Sequence, residues 1–238
     1  MRFNRKYRNT EPEWMDDPQL DHKILDIAVA DINKCNRILR GLPFTRDAVL
    51  EIIARQPHKK WRITDLGCSD GTMLRYLKDQ LPDYDLDLVG IDLSIRSIEN
   101  AREKSKGYEG IRFRESDIFQ TSIEELECDI LLVTLTLHHF QEKEIISYLE
   151  RFQQMTKVAI IVNDLHRSPI AYGFFKIFSP IFIGNEISIH DGLISIASGF
   201  RRADFKRYAK ILGVKNDRLK WKWSFRYIWI LPIDERKD

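Results

Sequence analysis

The chain reads as a doubly wound α/β protein, a mostly parallel sheet covered by helices on both faces. Three observations carry this reading. Short apolar runs rich in Ile, Leu and Val alternate with helical stretches from Trp61 onward. The first run, ending Ile63-Thr64-Asp65-Leu66, passes directly into a glycine-bearing turn, Gly67-Cys68-Ser69-Asp70-Gly71-Thr72, and then into a helical pattern. The second run, Leu86-Asp87-Leu88-Val89-Gly90-Ile91-Asp92, repeats that order, with Ser94 placed to cap a helix beginning at Ile95.

The other elements follow in chain order. Residues 18 to 40 form an N-terminal helical region with apolar positions at Ile24, Leu25, Ala28, Ile32 and Leu39. Gly41-Leu42-Pro43 is expected to break it before a second helix at about 45 to 55. A third strand, Ile111 to Arg114, leads into Glu115-Ser116-Asp117-Ile118. A fourth, from Asp129, ends Thr134-Leu135-Thr136-Leu137-His138-His139-Phe140, and a fifth covers Val158 to Val162. Residues 169 to 200 are an insert rich in Phe and Ile, too short and too interrupted by Lys176 and Pro180 to span a bilayer. A helix from Arg202 to Leu212 stops at Gly213. In the tail every second residue is aromatic (Trp221, Trp223, Phe225, Tyr227, Trp229), which places the rings on one face of extended chain. That face is expected to cover the sheet or pack under the final helix, with a turn or bulge near Ser224. No repeat or linker divides the chain, so residues 1–238 read as one domain: a helical cap (1–57), a ligand-binding core (58–165), the insert (166–200) and a closing helix and strand pair (201–238).

Composition narrows the function. At 238 residues and 43% hydrophobic the chain can bury a large core. Lys and Arg number 38 against 36 Asp and Glu, a net charge of +2 that offers no electrostatic case for a nucleic-acid partner. The locally basic start, Met1 to Arg8, is followed by no apolar run of the kind a secretory leader carries. Cys35, Cys68 and Cys128 are odd in number and widely spaced, which indicates neither a disulfide framework nor a zinc site. A reducing cytoplasm is the expected compartment.

The glycine turn is where ligand chemistry enters. Gly67 and Gly71 carry no side chain, so backbone N–H groups there and at the helix start can approach a ligand closely. A dinucleotide fingerprint counted from Gly67 needs glycines at 69 and 72, and Ser69 and Thr72 stand there instead. Asp65-Leu66-Gly67-Cys68-Ser69-Asp70-Gly71 resembles motif I of the class I S-adenosylmethionine (SAM) dependent methyltransferases, with Ser69 in place of the usual middle glycine. The Asp92 strand, the Asp117 segment and the Leu-His-His-Phe ending extend the resemblance, over residues 60 to about 165, to small-molecule members similar to those of quinone biosynthesis and polyketide assembly.

The resemblance implies a Rossmann-like, seven-stranded sheet closed by an antiparallel hairpin, and SAM as cofactor, leaving S-adenosylhomocysteine. It also implies site roles. Asp65, through the turn it supports, and Gly67 with Cys68 hold the methionine part, and Ser69 and Gly71 of the same turn also bind the cofactor. Asp92 takes the ribose hydroxyls with Leu93 against adenine, Asp117 receives the adenine amino group, and Ile118 stacks or donates its backbone N–H. Thr134 faces Gly67 across the cofactor, and Arg40 pairs with the methionine carboxylate or is simply solvated.

Methyl transfer to a hydroxyl needs a base. Its candidates are His139 and His166, then His138 and His190, all near loops at one end of the sheet. No metal is expected, because the carboxylate set of magnesium-dependent members is incomplete although Asn163 and Asp164 follow the fifth strand. No Asn/Asp-Pro-Pro-aromatic motif is present for a flipped base. The expected activity is therefore methylation of an apolar, hydroxylated aromatic, quinol or polyketide-like small molecule of secondary metabolism, with oxygen slightly favoured over carbon, under a Phe-rich lid. The sequence leaves room for peripheral membrane contact through the insert and does not set the oligomeric state. The alternatives are a catalytically silent binding subunit and an RNA methyltransferase.

Overall fold

The computed structural model describes residues 3–17 and 19–233. Seven strands form one sheet: β1 (Trp61–Leu66), β2 (Leu86–Asp92), β3 (Ile111–Glu115), β4 (Cys128–Thr134), β5 (Thr156–Leu165), β6 (Arg218–Lys222) and β7 (Arg226–Pro232), in the order β3-β2-β1-β4-β5-β7-β6. The first five pair in parallel, while β7 runs antiparallel to both β5 and β6. The order reverses between β1 and β4, which is where an open α/β sheet leaves a crevice beyond its strand ends.

Alternating side chains feed two cores. Ile130, Leu132, Ile161, Ile228 and Ile230 point to one face. There they meet α2 (Gly41–Ile53), α3 (Thr72–Gln80) and α4 (Ile95–Lys104) through Val49, Ile53, Leu74, Leu77 and Ile98. Leu131, Val133, Ile160, Val162 and Trp229 point to the other, against α6 (Ile145–Met155) and α9 (Arg202–Ile211), with the short α5 (Ile123–Leu126) alongside. Central strands are apolar on both faces because both faces are covered.

The chain breaks before Gly41 rather than at the Gly41-Leu42-Pro43 run. Helix α1 (His22–Ile38) ends at Leu39, Arg40 takes a left-handed conformation (φ 57°), and α2 starts at Gly41 itself. Pro43 is tolerated because it sits in the first turn, where the backbone N–H it lacks has no partner within the helix.

The aromatic tail divides. Tyr227 and Trp229 pack on Phe205 of α9, with ring centroids 5.4 and 5.1 Å away, as expected for rings under the final helix. Trp221, Trp223 and Phe225 instead cluster at the hairpin end, where Trp221 and Trp223 are exposed. The reason is position: β6 is the edge strand, and residues 223–225 are the turn. The insert is a helix pair, α7 (Pro169–Phe182) and α8 (Glu186–Ser198), capped by the Ser168 and Asn185 side chains. Among the described residues no helix is long and apolar enough to cross a membrane.

Trp229 is fully buried against Phe205. Trp229→Ala is expected to lower unfolding free energy by about 3–5 kcal/mol, measured by urea denaturation.

Candidate active site

Two structures meet at the carboxyl end of the sheet. The first is the glycine turn. Gly67 (φ 72°) and Gly71 (φ 76°) are left-handed, and a Cβ on Gly67 would lie 2.6 Å from the Thr136 hydroxyl oxygen. The β1 and β4 loops therefore touch, and glycine is required there for both conformation and space. Ser69 is also left-handed (φ 49°), and its N–H donates to Asp92 Oδ2 at 2.9 Å, while Ser94 N–H donates to Oδ1 at 2.9 Å. Burial nonetheless raises the Asp92 carboxyl above its ordinary value. Asp65 is buried beneath the turn, and burial together with the Asp92 charge pushes it up to about 8. Cys68 is buried, and Thr134 has a buried hydroxyl with no hydrogen-bond partner among the described residues.

Other residues assigned from sequence lie around this turn with different freedoms. Leu93 is exposed, as a ligand platform requires. Asp117 accepts from Phe119 N–H (2.8 Å) and Gln120 Nε2 (2.9 Å). Ile118 corrects one expectation. Its side chain belongs to the core under α6, so stacking on a ligand is ruled out and only its backbone N–H is left for that purpose. Arg40 is exposed and lies over the Phe44 ring at 6.0 Å. Helix α1 spans the turn from outside: Asn33 donates to Asp70 (3.0 Å), and Asp26 accepts from Arg96 (3.0 Å) and Asn100 (2.8 Å) of α4. Asp70, unassigned in the sequence reading, also takes Thr72 Oγ1 at 2.6 Å and Lys104 at 2.8 Å, which tie the turn to α3 and α4.

The second structure is a buried row of charge. His138 Nδ1 lies 2.8 Å from Asp164 Oδ1, and its Nε2 lies 3.6 Å from Glu13 Oε1. Burial pulls this imidazole down, but Asp164 and Glu13 outweigh it and lift His138 to about 10. Both carboxyls are correspondingly held low against their own burial. His138 is thus an imidazolium with no lone pair to offer a proton, and the structure removes it from the list of bases.

His139 stacks on that ring, with centroids 4.4 Å apart, sets Nδ1 3.4 Å from Asp16, and leaves a third of its side chain exposed. His166 accepts the Trp221 indole N–H at 3.2 Å, and burial with Arg201 and Arg167 holds it neutral. His190 stacks on Trp14 at 3.6 Å and bonds Asp191. Neither lines the cavity beside His139.

That cavity measures about 550 Å³ and is walled chiefly by residues 6–13, by His138 to Glu142, and by Arg167 and Arg207. The N-terminal segment covers it together with Arg167, Ile194 and Ser198 of the insert, while the exposed Phe and Ile side chains of α7 stay outside. Trp14 and Met15 donate their N–H groups to Asp191 (2.9 Å each), Asn9 donates to Ala197 O (3.1 Å), and Arg8 donates to Ser198 O (2.7 Å) and His138 O (2.8 Å). Arg167 is buried, with Nε and Nη1 unpartnered among the described residues. Glu13, Arg8 and Arg167 had no local sequence signal, since their contacts are tertiary. Glu13, His138 and His139 also bring three ligand-capable atoms within 4.8 Å of one another, but a proton on His138 already satisfies the two carboxylates.

Residues 63–159 match the model of a methyltransferase domain. That segment, similar to a methyltransferase domain, holds the glycine turn, Asp92 and the end of β4. Curated relatives include carboxy-S-adenosyl-L-methionine synthases of Helicobacter pylori (strain P12), 30% identical over 131 residues (55% of this chain, 54% of that protein), and of Campylobacter curvus, 39% identical over 100 residues (40% and 42%). The same enzyme of Nitratiruptor sp. is 25% identical over 187 residues, 75% of this chain and 71% of that one. The chain thus matches about half the length of the first two relatives. Among solved structures, the plantazolicin methyltransferase BpumL in complex with SAH superposes with a TM-score of 0.67 at 20% identity over 93% of each chain. The CurJ carbon methyltransferase superposes at 0.63 and 11% identity, over 82% of this chain and 54% of that one. These structural likenesses establish the fold, including the antiparallel closing strands.

His138 holds its proton in the fold from an ordinary value of 6.5 up to about 10. The stability it contributes is fully present below pH 6.5 and is lost as pH rises toward 10. His138→Ala is therefore expected to cost about 3–5 kcal/mol at pH 6, by leaving two buried carboxylates uncompensated, and clearly less at pH 10, read by denaturation at both pH values.

Proposed function

We propose that this chain binds SAM at the carboxyl ends of β1, β2 and β4 and passes its methyl group to a hydroxyl of a small acceptor held in the cavity beside His139. The observation that carries the reading is the junction of two features at one sheet end: the left-handed glycine turn with Asp92, and the adjoining cavity with a partly exposed histidine. In the binding step Asp92 accepts the ribose hydroxyls through the lone pairs that Ser69 and Ser94 leave open. Leu93 lies against the adenine, Asp117 with the Ile118 N–H reads its edge, and the unpartnered Thr134 hydroxyl meets the amino-acid end. When bound, SAM supplies an activated methyl with a good leaving group, so positioning provides much of the catalysis.

His139 is the base in this reading. It is the candidate that reaches the cavity without being locked between carboxylates, and Asp16 orients its Nδ1. The imidazolium of His138 beneath it favours an acceptor oxygen that gains negative charge as its proton leaves. Arg8, Arg167 and Arg207 on the wall favour polar substituents on the aromatic, quinol or polyketide-like skeleton of the acceptor. O-methylation is favoured over C-methylation because a positioned base is present. A second reading rests on the relatives' name: SAM itself is the molecule modified, and its carboxylated form is the product.

Calorimetry with S-adenosylhomocysteine tests the cofactor site. Binding is expected, with a stabilisation of about 2.7 kcal/mol at a hundredfold excess over the dissociation constant. Asp92→Ala is expected to abolish binding while keeping the fold, and unchanged affinity would refute the assignment. No binding by folded wild type would leave the silent binding subunit as the reading. With SAM and a panel of phenolic acceptors, His139→Gln is expected to cut turnover about 10²- to 10⁴-fold with cofactor affinity unchanged. Mass spectrometry showing a carboxylated SAM and no methylated acceptor would select the second reading.

A further inference from the structure

Helix α7 presents its most apolar side to solvent. Ile170, Phe174, Ile177, Phe178 and Ile181 are each between 45% and 77% exposed. At about 100° per residue they fall within an arc of roughly 100°, so they form one continuous stripe and not scattered exposure. The helix cannot roll this stripe inward. Buried Ala171 borders the stripe, and beyond it lie buried Ser179 and Phe175, whose ring is so close to Gly192 of α8 that a Cβ there would be 2.3 Å away. The fold leaves the stripe uncovered by construction.

Its spacing says what fits it. Residues 170, 174, 177 and 181 step by four, three and four, the period of a helix that packs along a seam against another helix. The series is symmetric about its midpoint, so an antiparallel copy brings Ile170 to Ile181 and Phe174 to Ile177, a self-complementary contact of the kind two-fold dimers use. The exposed parts of the five side chains amount to on the order of 600 Å² per protomer, most of the about 800 Å² per partner of a stable interface before any flanking residue is added. A membrane-surface helix would carry Lys or Arg along both borders of its apolar face. The one charged residue of α7, Lys176, lies roughly 150° from the stripe centre, on the side away from it.

We propose that the chain is a homodimer in solution, joined through the α7 stripe of each protomer. Helix α8, against which α7 is packed, carries the Asp191 that holds the N-terminal segment over the cavity. The dimer therefore buttresses the site's cover from behind, without contributing a residue to the site.

Sedimentation velocity over a micromolar concentration series tests this. Wild type is expected at twice the protomer mass. Ile177→Asp, with native circular dichroism, is expected to raise the dimer dissociation constant about tenfold or more, while Lys176→Glu, off the stripe, leaves it unchanged. Ile181→Asp, at the most exposed position, serves as the second interface variant should Ile177→Asp fail to fold. A monomer throughout the series, or a dimer indifferent to both aspartate variants, would overturn the proposal. So would a monomer that floats with phosphatidylcholine/phosphatidylglycerol vesicles, which would assign the stripe to a membrane surface.

Discussion

The carboxyl end of this sheet is organised by one buried imidazolium. His138 stands between Asp164, at the end of β5, and Glu13, from the far N-terminal segment, and its charge is what allows both carboxylates to stay ionised away from water. Removing either partner would leave the desolvation cost of the others unmet, so the row is more a constraint than a source of net stability. It fixes three pieces at once: the β4 loop, the β5 end and the segment that covers the cavity. The ring of His139 then has a defined shelf to stack on.

Across the crevice the problem is the same with the sign reversed. Buried Asp65 lies near half-buried Asp92 and has no ion-pair partner among the described residues, and burial with the Asp92 charge pushes it to about 8. What steadies Asp92 is backbone N–H from Ser69 and Ser94, the first of which depends on the left-handed conformation of the motif's middle residue. Serine at that position bends the backbone correctly at some conformational cost, so the departure from glycine leaves the geometry of the turn intact.

How much of this was legible in the sequence follows from how local each feature is. The succession of strands and helices, the glycine turn, Asp92 and the Ser94 cap are set by residues a few positions apart, and their patterns survive in any local reading. The Gly41 boundary was misplaced because Gly and Pro were read as breakers, whereas a helix start accepts both and the actual break is the left-handed Arg40. The charge row could not be read, because Glu13 meets His138 only in the fold. Two adjacent histidines look equivalent as a dipeptide and become a buried ion-pair member and a partly exposed ring stacked on it only once Asp164 and Glu13 are placed. The Phe-rich insert showed its composition but not its direction, which the fit of Phe175 against Gly192 decides. Its apolar face turned outward, and the cavity is walled instead by the N-terminal segment, the end of β4 and Arg167, Ile194 and Ser198.

The most direct test of this account is the protonation state of His138, read by nitrogen-15 NMR of the histidine side chains across a pH titration. Both ring nitrogens of His138 are predicted to carry protons through pH 9, with deprotonation near 10. A His138 that titrates near its ordinary 6.5 would contradict the buried charge row, and with it the assignment of His139 as the base.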